Sequence, residues 1–213
     1  MTPSHPVTAT SLPRAGTRLP ANPFATRHTR PGTLPPLAAD GRPRDLGGLT
    51  AEILRAGGAG IEGPHGSGKS NLLVAVAREL GVEGRLAASV RLGRHAAAAA
   101  LRAILRAAPG RAVCLDGWEM LGRPVAASVR FLAHHRGVVL VVTSHRPSGL
   151  PLRVPTATSP ALLDAIVRRL PDHGGLIAAD DLAGAFVRQR GDLREALLDL
   201  YDRFEQRARQ QRS

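Results

Sequence analysis

The apolar positions of this chain change spacing several times, and each change predicts an element. Asp45 to Ala56 opens on a capping residue followed by Leu46, Leu49, Ile53 and Leu54, which predicts a short helix. Ala59 Gly60 Ile61 Glu62 predicts a short strand, and Asn71 to Leu80 returns to helical spacing. Leu86 to Leu92 alternates as a strand does. Arg94 to Ala107 predicts an alanine-rich helix ended by Pro109 and Gly110. Ala112 to Asp116 is a short apolar run closed by an acid, and Pro124 to His135 predicts a helix with Val125, Val129 and Leu132 on one side. Gly137 to Thr143 (GVVLVVT) is apolar throughout, as a central parallel strand buried on both faces must be. Leu152 to Ala157 predicts one last strand. Strands alternating with helices predict an α/β domain with a parallel sheet and covering helices.

From Pro160 the pattern becomes purely helical. Ala161 to Leu170, Ala179 to Arg190 and Asp192 to Arg209 carry apolar residues three and four apart, with Asp180 and Asp192 as candidate caps. This predicts a small three-helix lid over residues 160–210. At the other end, residues 1–20 are rich in Pro, Thr, Ser and Arg without a buriable face, and are expected to be a disordered tail. Residues 21–159 then form the α/β domain. Its start, Asn22 Pro23 Phe24 through Leu37, is expected to lie as an ordered, extended arm on the folded surface.

A chain of 213 residues, 43% hydrophobic, suits one α/β domain with an appendage. The formal net charge of +12 points to an acidic partner, nucleic acid among them. The arginines are spread along the chain without forming one basic block, so the charge alone does not mark a surface. One Trp, one Tyr and four Phe leave few platforms for base stacking. Cys114 is the only cysteine and falls inside an apolar run, so no intramolecular disulfide can form and a core role is expected. No apolar stretch is long enough to span a membrane and no apolar segment follows a basic start, so a soluble, cytoplasmic protein is expected.

Lysine and arginine together number 29, and Lys69 is the single lysine. It sits in Gly63 Pro64 His65 Gly66 Ser67 Gly68 Lys69 Ser70, which matches the phosphate-binding loop G-x-x-x-x-G-K-[ST]. A solvated surface needs only positive charge, so arginine serves there as well as lysine. Inside a tight loop a slim ammonium reaches phosphates where a planar guanidinium does not fit. Backbone N–H groups of the loop, the start of the following helix and Asn71 would face the phosphates. Ser70 would offer its hydroxyl to Mg²⁺. Asp116 closes an apolar strand 46 residues after Ser70, where a carboxylate would hold the water shell of that Mg²⁺. Glu119 is the candidate to orient or deprotonate an attacking water, or else a helix-start acid. Thr143, Ser144 and His145 end the strongest strand, within reach of the same phosphates. Arg194, at the start of the last helix, could swing onto the nucleotide as the lid closes.

The set GPHGSGKS, VCLDGWE, VVLVVTSH and GDLREAL resembles an AAA+ type ATPase of the additional-strand P-loop group, over roughly residues 22–205. That resemblance implies a three-layer P-loop NTPase fold with a five-stranded parallel sheet of order 5-1-4-3-2 and a small C-terminal α-helical lid. It further implies Walker A at Gly63 to Ser70, Walker B at Asp116, sensor 1 at Thr143 or Ser144, sensor 2 at Arg194, and an Asn22 Pro23 Phe24 arm beside the adenine. ATP and Mg²⁺ are the cofactors it implies, with a homo-oligomer or a protein partner. Only about nine residues separate the sensor 1 strand from the last strand, so the helix that carries an arginine finger in such rings is missing; Arg146 and Arg153 are the substitutes at hand. The leading expectation is a Mg-dependent ATPase acting as a nucleotide-driven switch or motor subunit. The alternatives are a small-molecule or nucleotide kinase, and a nucleic-acid binding module with structural ATP.

Overall fold

The most apolar runs of the chain are strands, and they all point the same way. The computed structural model describes residues 21–211, so the expected tail over residues 1–20 lies outside the described residues. β1 (Gly58–Glu62), β2 (Leu86–Arg91), β3 (Ala112–Asp116), β4 (Val139–Ser144) and β5 (Leu152–Pro155) form one parallel sheet in the order β2-β3-β4-β1-β5. Counted from the β5 edge, that order is 5-1-4-3-2. β1 and β4 lie in the middle and are buried at every position, whereas the edge strand β2 alternates between half-buried and exposed. This difference is what sheet position demands: a central strand covered on both faces has no polar side.

Helices cover both faces. α2 (Leu46–Ala56) and α3 (Lys69–Val82) bury Ile53, Leu72, Val76 and Leu80 against Ala59, Ile61, Cys114 and Val141. α4 (Ala96–Arg106) and α5 (Gly122–His135) bury Ala100, Ile104 and Val129 against Val113, Leu115, Leu140 and Val142 on the opposite face. Successive strand residues thus feed two separate cores, as period-two geometry requires. Cys114 is fully buried, and burial pushes its thiol up to about 12, so it behaves as a small apolar core residue.

The connection from β4 to β5 departs from this plan. Residues 145–151 alone span it, with no helix, where a parallel crossover ordinarily takes a dozen residues or more. This strap lies flat on β1. A Cβ added at Gly60 would come within 2.1 Å of the Ser148 hydroxyl oxygen, so the missing side chain is what lets the strap approach. Ser148 donates from its backbone N–H (2.7 Å) and hydroxyl (2.8 Å) to Glu62, whose other oxygen accepts from Arg153 (2.9 Å). Arg130 of α5 donates to the Ser148 carbonyl and pins the strap from outside.

α6 (Pro160–Val167), α7 (Ala179–Arg188) and α8 (Leu193–Gln210) form the expected helical block, with Leu163, Ala185, Leu200 and Phe204 at its centre. Asp192 caps α8 as the sequence predicts, accepting from the N–H groups of Arg194 and Glu195. Asp180 does not cap α7. That helix begins after Ala178, and it is the Asp181 carboxylate that reaches back to the Ala178 N–H (2.8 Å). The arm is ordered but not simply extended, because a single turn, α1 (Thr26–Thr29), interrupts it. Phe24 packs edge-on against Phe204, and Asn22 donates to the Tyr201 carbonyl and to Glu205, so the arm's start belongs to the helical block. Its continuation meets α3: the Gly32 N–H donates to the Asn71 side chain (2.8 Å), which donates in turn to the Leu34 carbonyl (3.2 Å). The arm therefore ties the block to the helix that follows the glycine-rich loop. Among the described residues no helix is long and apolar enough to cross a membrane.

Candidate functional site

The loop Gly63–Ser70 leaves the carboxyl end of β1 and runs into α3. Gly68 stands before the helix in the left-handed region, no side chain caps the first turn, and no acid lies in it. The helix start therefore presents unneutralised N–H groups and the positive end of its dipole to the loop. Lys69, though charged, is only 7% exposed. Its ammonium donates to the Gly63 carbonyl (2.8 Å), to the Pro64 carbonyl and to His145 Nδ1 (3.1 Å). Burial pulls its pKa below the usual lysine value, against the opposing pull of Glu119, Asp116 and Asp192.

Asp116 ends β3 beside this loop. One carboxylate oxygen accepts from the Ser70 hydroxyl (2.9 Å) and from the Thr143 hydroxyl (2.6 Å), and Thr143 accepts in turn from the Gly117 N–H (2.8 Å). Gly117 has φ +94°, a conformation that disfavours any side chain. A carboxylate directly after Asp116 could not sit there without strain. The next carboxylate, Glu119, lies in the turn Trp118–Leu121 that follows.

His145 joins the two groups. Its Nδ1 faces Lys69 and its Nε2 lies 3.3 Å from Glu119 Oε1, while its ring stacks on His65 with centroids 3.6 Å apart. An ammonium has no lone pair to offer, so Nδ1 must accept, and the single proton of the neutral imidazole sits on Nε2 facing the carboxylate. Partial burial, then the neighbouring Lys69, lower the His145 pKa, with Glu119 pulling the other way. The neutral tautomer is the one the geometry requires.

The expected site residues thus divide. Gly63, Pro64, His65, Gly66, Ser67, Gly68, Lys69, Ser70, Asp116 and Glu119 gather around one loop. Thr143 is buried and reaches the site only through Asp116, which makes it a positioning residue. Ser144 is also buried, but its hydroxyl faces away and accepts from the Arg146 N–H. Asn71 spends its amide on the arm. Arg194 is exposed and its side chain makes no hydrogen bond or ion pair, although the α8 start beside it presses on the loop: a Cβ at Gly66 would meet Asp192 at 1.9 Å and the Leu193 nitrogen at 2.9 Å. Of the two substitute arginine fingers, Arg153 is bound to Glu62 of its own chain, while Arg146 is exposed and unpaired.

One partner of the loop carries little signal in the sequence. Thr156 bonds the Ser67 hydroxyl (2.7 Å) and the Glu62 carbonyl, bracing the loop from β5, and nothing local announces that role. His145, which the sequence names beside Thr143 and Ser144, shares a face with Thr143 by strand alternation while Ser144 does not. Among the described residues no group of three or more His, Cys, Asp or Glu could hold a metal ion. A Mg²⁺ here would be held by Ser70 and Asp116 with phosphate oxygens and water, the mode this ion prefers. In comparison with known proteins, no family model matches the chain, and no curated protein matches it.

Proposed function

We propose that this protein is a P-loop NTPase that binds ATP with Mg²⁺ at Gly63–Ser70 and hydrolyses it, with the helical block responding to the state of the nucleotide. The observation that carries the reading is the convergence of an uncapped helix start, a buried lysine and the Ser70–Asp116 pair at the carboxyl ends of parallel strands. That is where an anion with a bound cation is best stabilised in a sheet of this kind. The donor set fits the two groups: Lys69 would exchange the Gly63 and Pro64 carbonyls for phosphate oxygens, and Ser70 and Asp116 offer hard oxygens to a small divalent cation. When bound, Mg²⁺ would neutralise charge developing on the phosphates.

The remaining roles belong to the chain itself. Thr143 holds Asp116 in its rotamer. Glu119 accepts the proton of an attacking water, and His145, fixed as the Nε2–H tautomer by Lys69, holds that carboxylate in orientation. Asp192 and Leu193 rest on Gly66, so a loop rearranged around phosphate must shift the start of α8. Release of phosphate from ATP by wild type and Lys69→Ala tests the reading. A loss of at least about a hundredfold is expected, the scale of removing one transition-state donor. Equal turnover by the two proteins would refute it.

A further inference from the structure

The charge of this chain is distributed far from evenly once acids are counted with arginines. Residues 84–163 carry eleven arginines against two acids, Asp116 and Glu119, which both belong to the site. Residues 164–213 carry nine arginines against nine acids. A compositional preference for arginine would enrich both regions alike, and it does; it would not strip the acids from only one. Apart from Arg91 and Arg153, which face Asp116 and Glu62, the arginines of residues 84–163 have no ion-pair partner among the described residues.

Four of them, Arg102, Arg106, Arg123 and Arg130, lie in the outer layer formed by α4 and α5, which pack side by side and contain no Asp or Glu at all. Arg136 ties their ends together by donating to the Leu105 carbonyl. Arg94, Arg102, Arg106 and Arg123 are exposed and form neither hydrogen bonds nor ion pairs through their side chains. In the helical block, by contrast, Arg168, Arg188, Arg203 and Arg207 are each paired with an aspartate. Phe131 stands on the outward face of α5 at 72% exposure, its ring nearly parallel to that of His135 with centroids 6.0 Å apart. An uncovered aromatic on a cationic face costs solvation unless a flat apolar partner covers it.

We infer that the α4–α5 face is a nucleic-acid binding surface, with the arginines on backbone phosphates and Phe131 stacking an unpaired base. Free guanidiniums suit phosphate oxygens geometrically, and one aromatic among them is the arrangement of a single-strand platform. An anionic membrane is the poorer fit, because among the described residues only Leu105, Phe131 and Met120, which lies beside Arg94, are large, apolar and exposed there. The inference does not rest on nucleotide binding at Lys69, and Lys69→Ala is expected to keep full oligonucleotide affinity.

The test is fluorescence anisotropy of labelled single-stranded and duplex DNA over a series of KCl concentrations. Wild type should bind with an affinity that falls steeply with salt, by a log–log slope near −0.7 per contacted phosphate for single strands. The triple variant Arg102→Glu, Arg106→Glu, Arg123→Glu should lose at least about tenfold. A triple variant of equal charge elsewhere, Arg55→Glu, Arg78→Glu, Arg169→Glu, should lose far less; circular dichroism checks that both fold. Phe131→Ala should weaken single-strand binding more than duplex binding. Absent binding at low salt, equal loss in the two triple variants, or tighter binding to phosphatidylserine vesicles than to DNA would each overturn the assignment. Equal loss of single-strand and duplex binding in Phe131→Ala would overturn the stacking role.

Discussion

Asp116 and Asp181 are both aspartates drawn out of solvent near arginines, and the protein holds them in opposite ways. Asp181 is 6% exposed and takes three guanidinium hydrogen bonds, two from Arg207 and one from Arg203; Arg207 first, then the Ala178 N–H and Arg203, lower its pKa to about 2 against the opposing effect of burial. Asp116 is held by two hydroxyls, and its nearest arginine, Arg91, is 4.0 Å away on a side chain 85% exposed. An ion pair that open is worth about 1 kcal/mol or less. In a chain with so many arginines, a carboxylate stays available to a mobile cation only where the fold keeps guanidiniums off it. Hydroxyls fix the orientation of Asp116 without cancelling its charge. One aspartate is locked into structure, and the other is the one that the proposed function assigns to chemistry.

The contrast can be broken from either side. Asp116→Asn keeps the shape but removes the charge, and should cost Mg-dependent turnover on the order of a hundredfold or more with little change in melting temperature. Asp181→Asn should do the reverse, lowering stability by about 1 to 3 kcal/mol in thermal or urea unfolding while nucleotide affinity persists. The sign of the pH dependence follows from the lowered pKa: the contribution of Asp181 is complete above pH 3.8 and is lost as pH falls toward 2, so the stability difference between Asp181→Asn and wild type should shrink in that window. Gly60→Ala drives a methyl into Ser148 and should cost about 1 to 3 kcal/mol of stability by displacing the strap. His145→Gln should have the smallest effect, a loss of about tenfold in turnover. Because the His145 pKa is lowered, the neutral tautomer persists below pH 6.5 and is lost only further down; wild type should show an acid limb there that the variant lacks.

Much of this arrangement could be read from local pattern. β3 begins and ends where its apolar run does, and the loop with its flanking strand and helix is visible because its glycines, Lys69 and Ser70 are adjacent in sequence. What escaped depends on contacts between distant segments. The strap on β1 rests on Gly60 meeting Ser148, and the two are far apart in sequence, although the small residues at alternate positions of Gly58 Ala59 Gly60 carried a hint. Asn71 is expected from the sequence to face the phosphates, yet its amide serves the arm, accepting from the Gly32 N–H and donating to the Leu34 carbonyl. Thr143 and Ser144 were equivalent as sequence; strand alternation points one at Asp116 and the other away. The basic face was hidden for a related reason, since it consists of missing acids on two helices.

The most direct test of the account is calorimetric titration of ATP into wild type and Asp116→Asn, each with Mg²⁺ and with excess EDTA. ATP is expected to bind wild type, Mg²⁺ to tighten this binding, and Asp116→Asn to bind ATP without the Mg²⁺ gain. Wild type that takes up no ATP, or that binds it with the same affinity in Mg²⁺ and in EDTA, would contradict it.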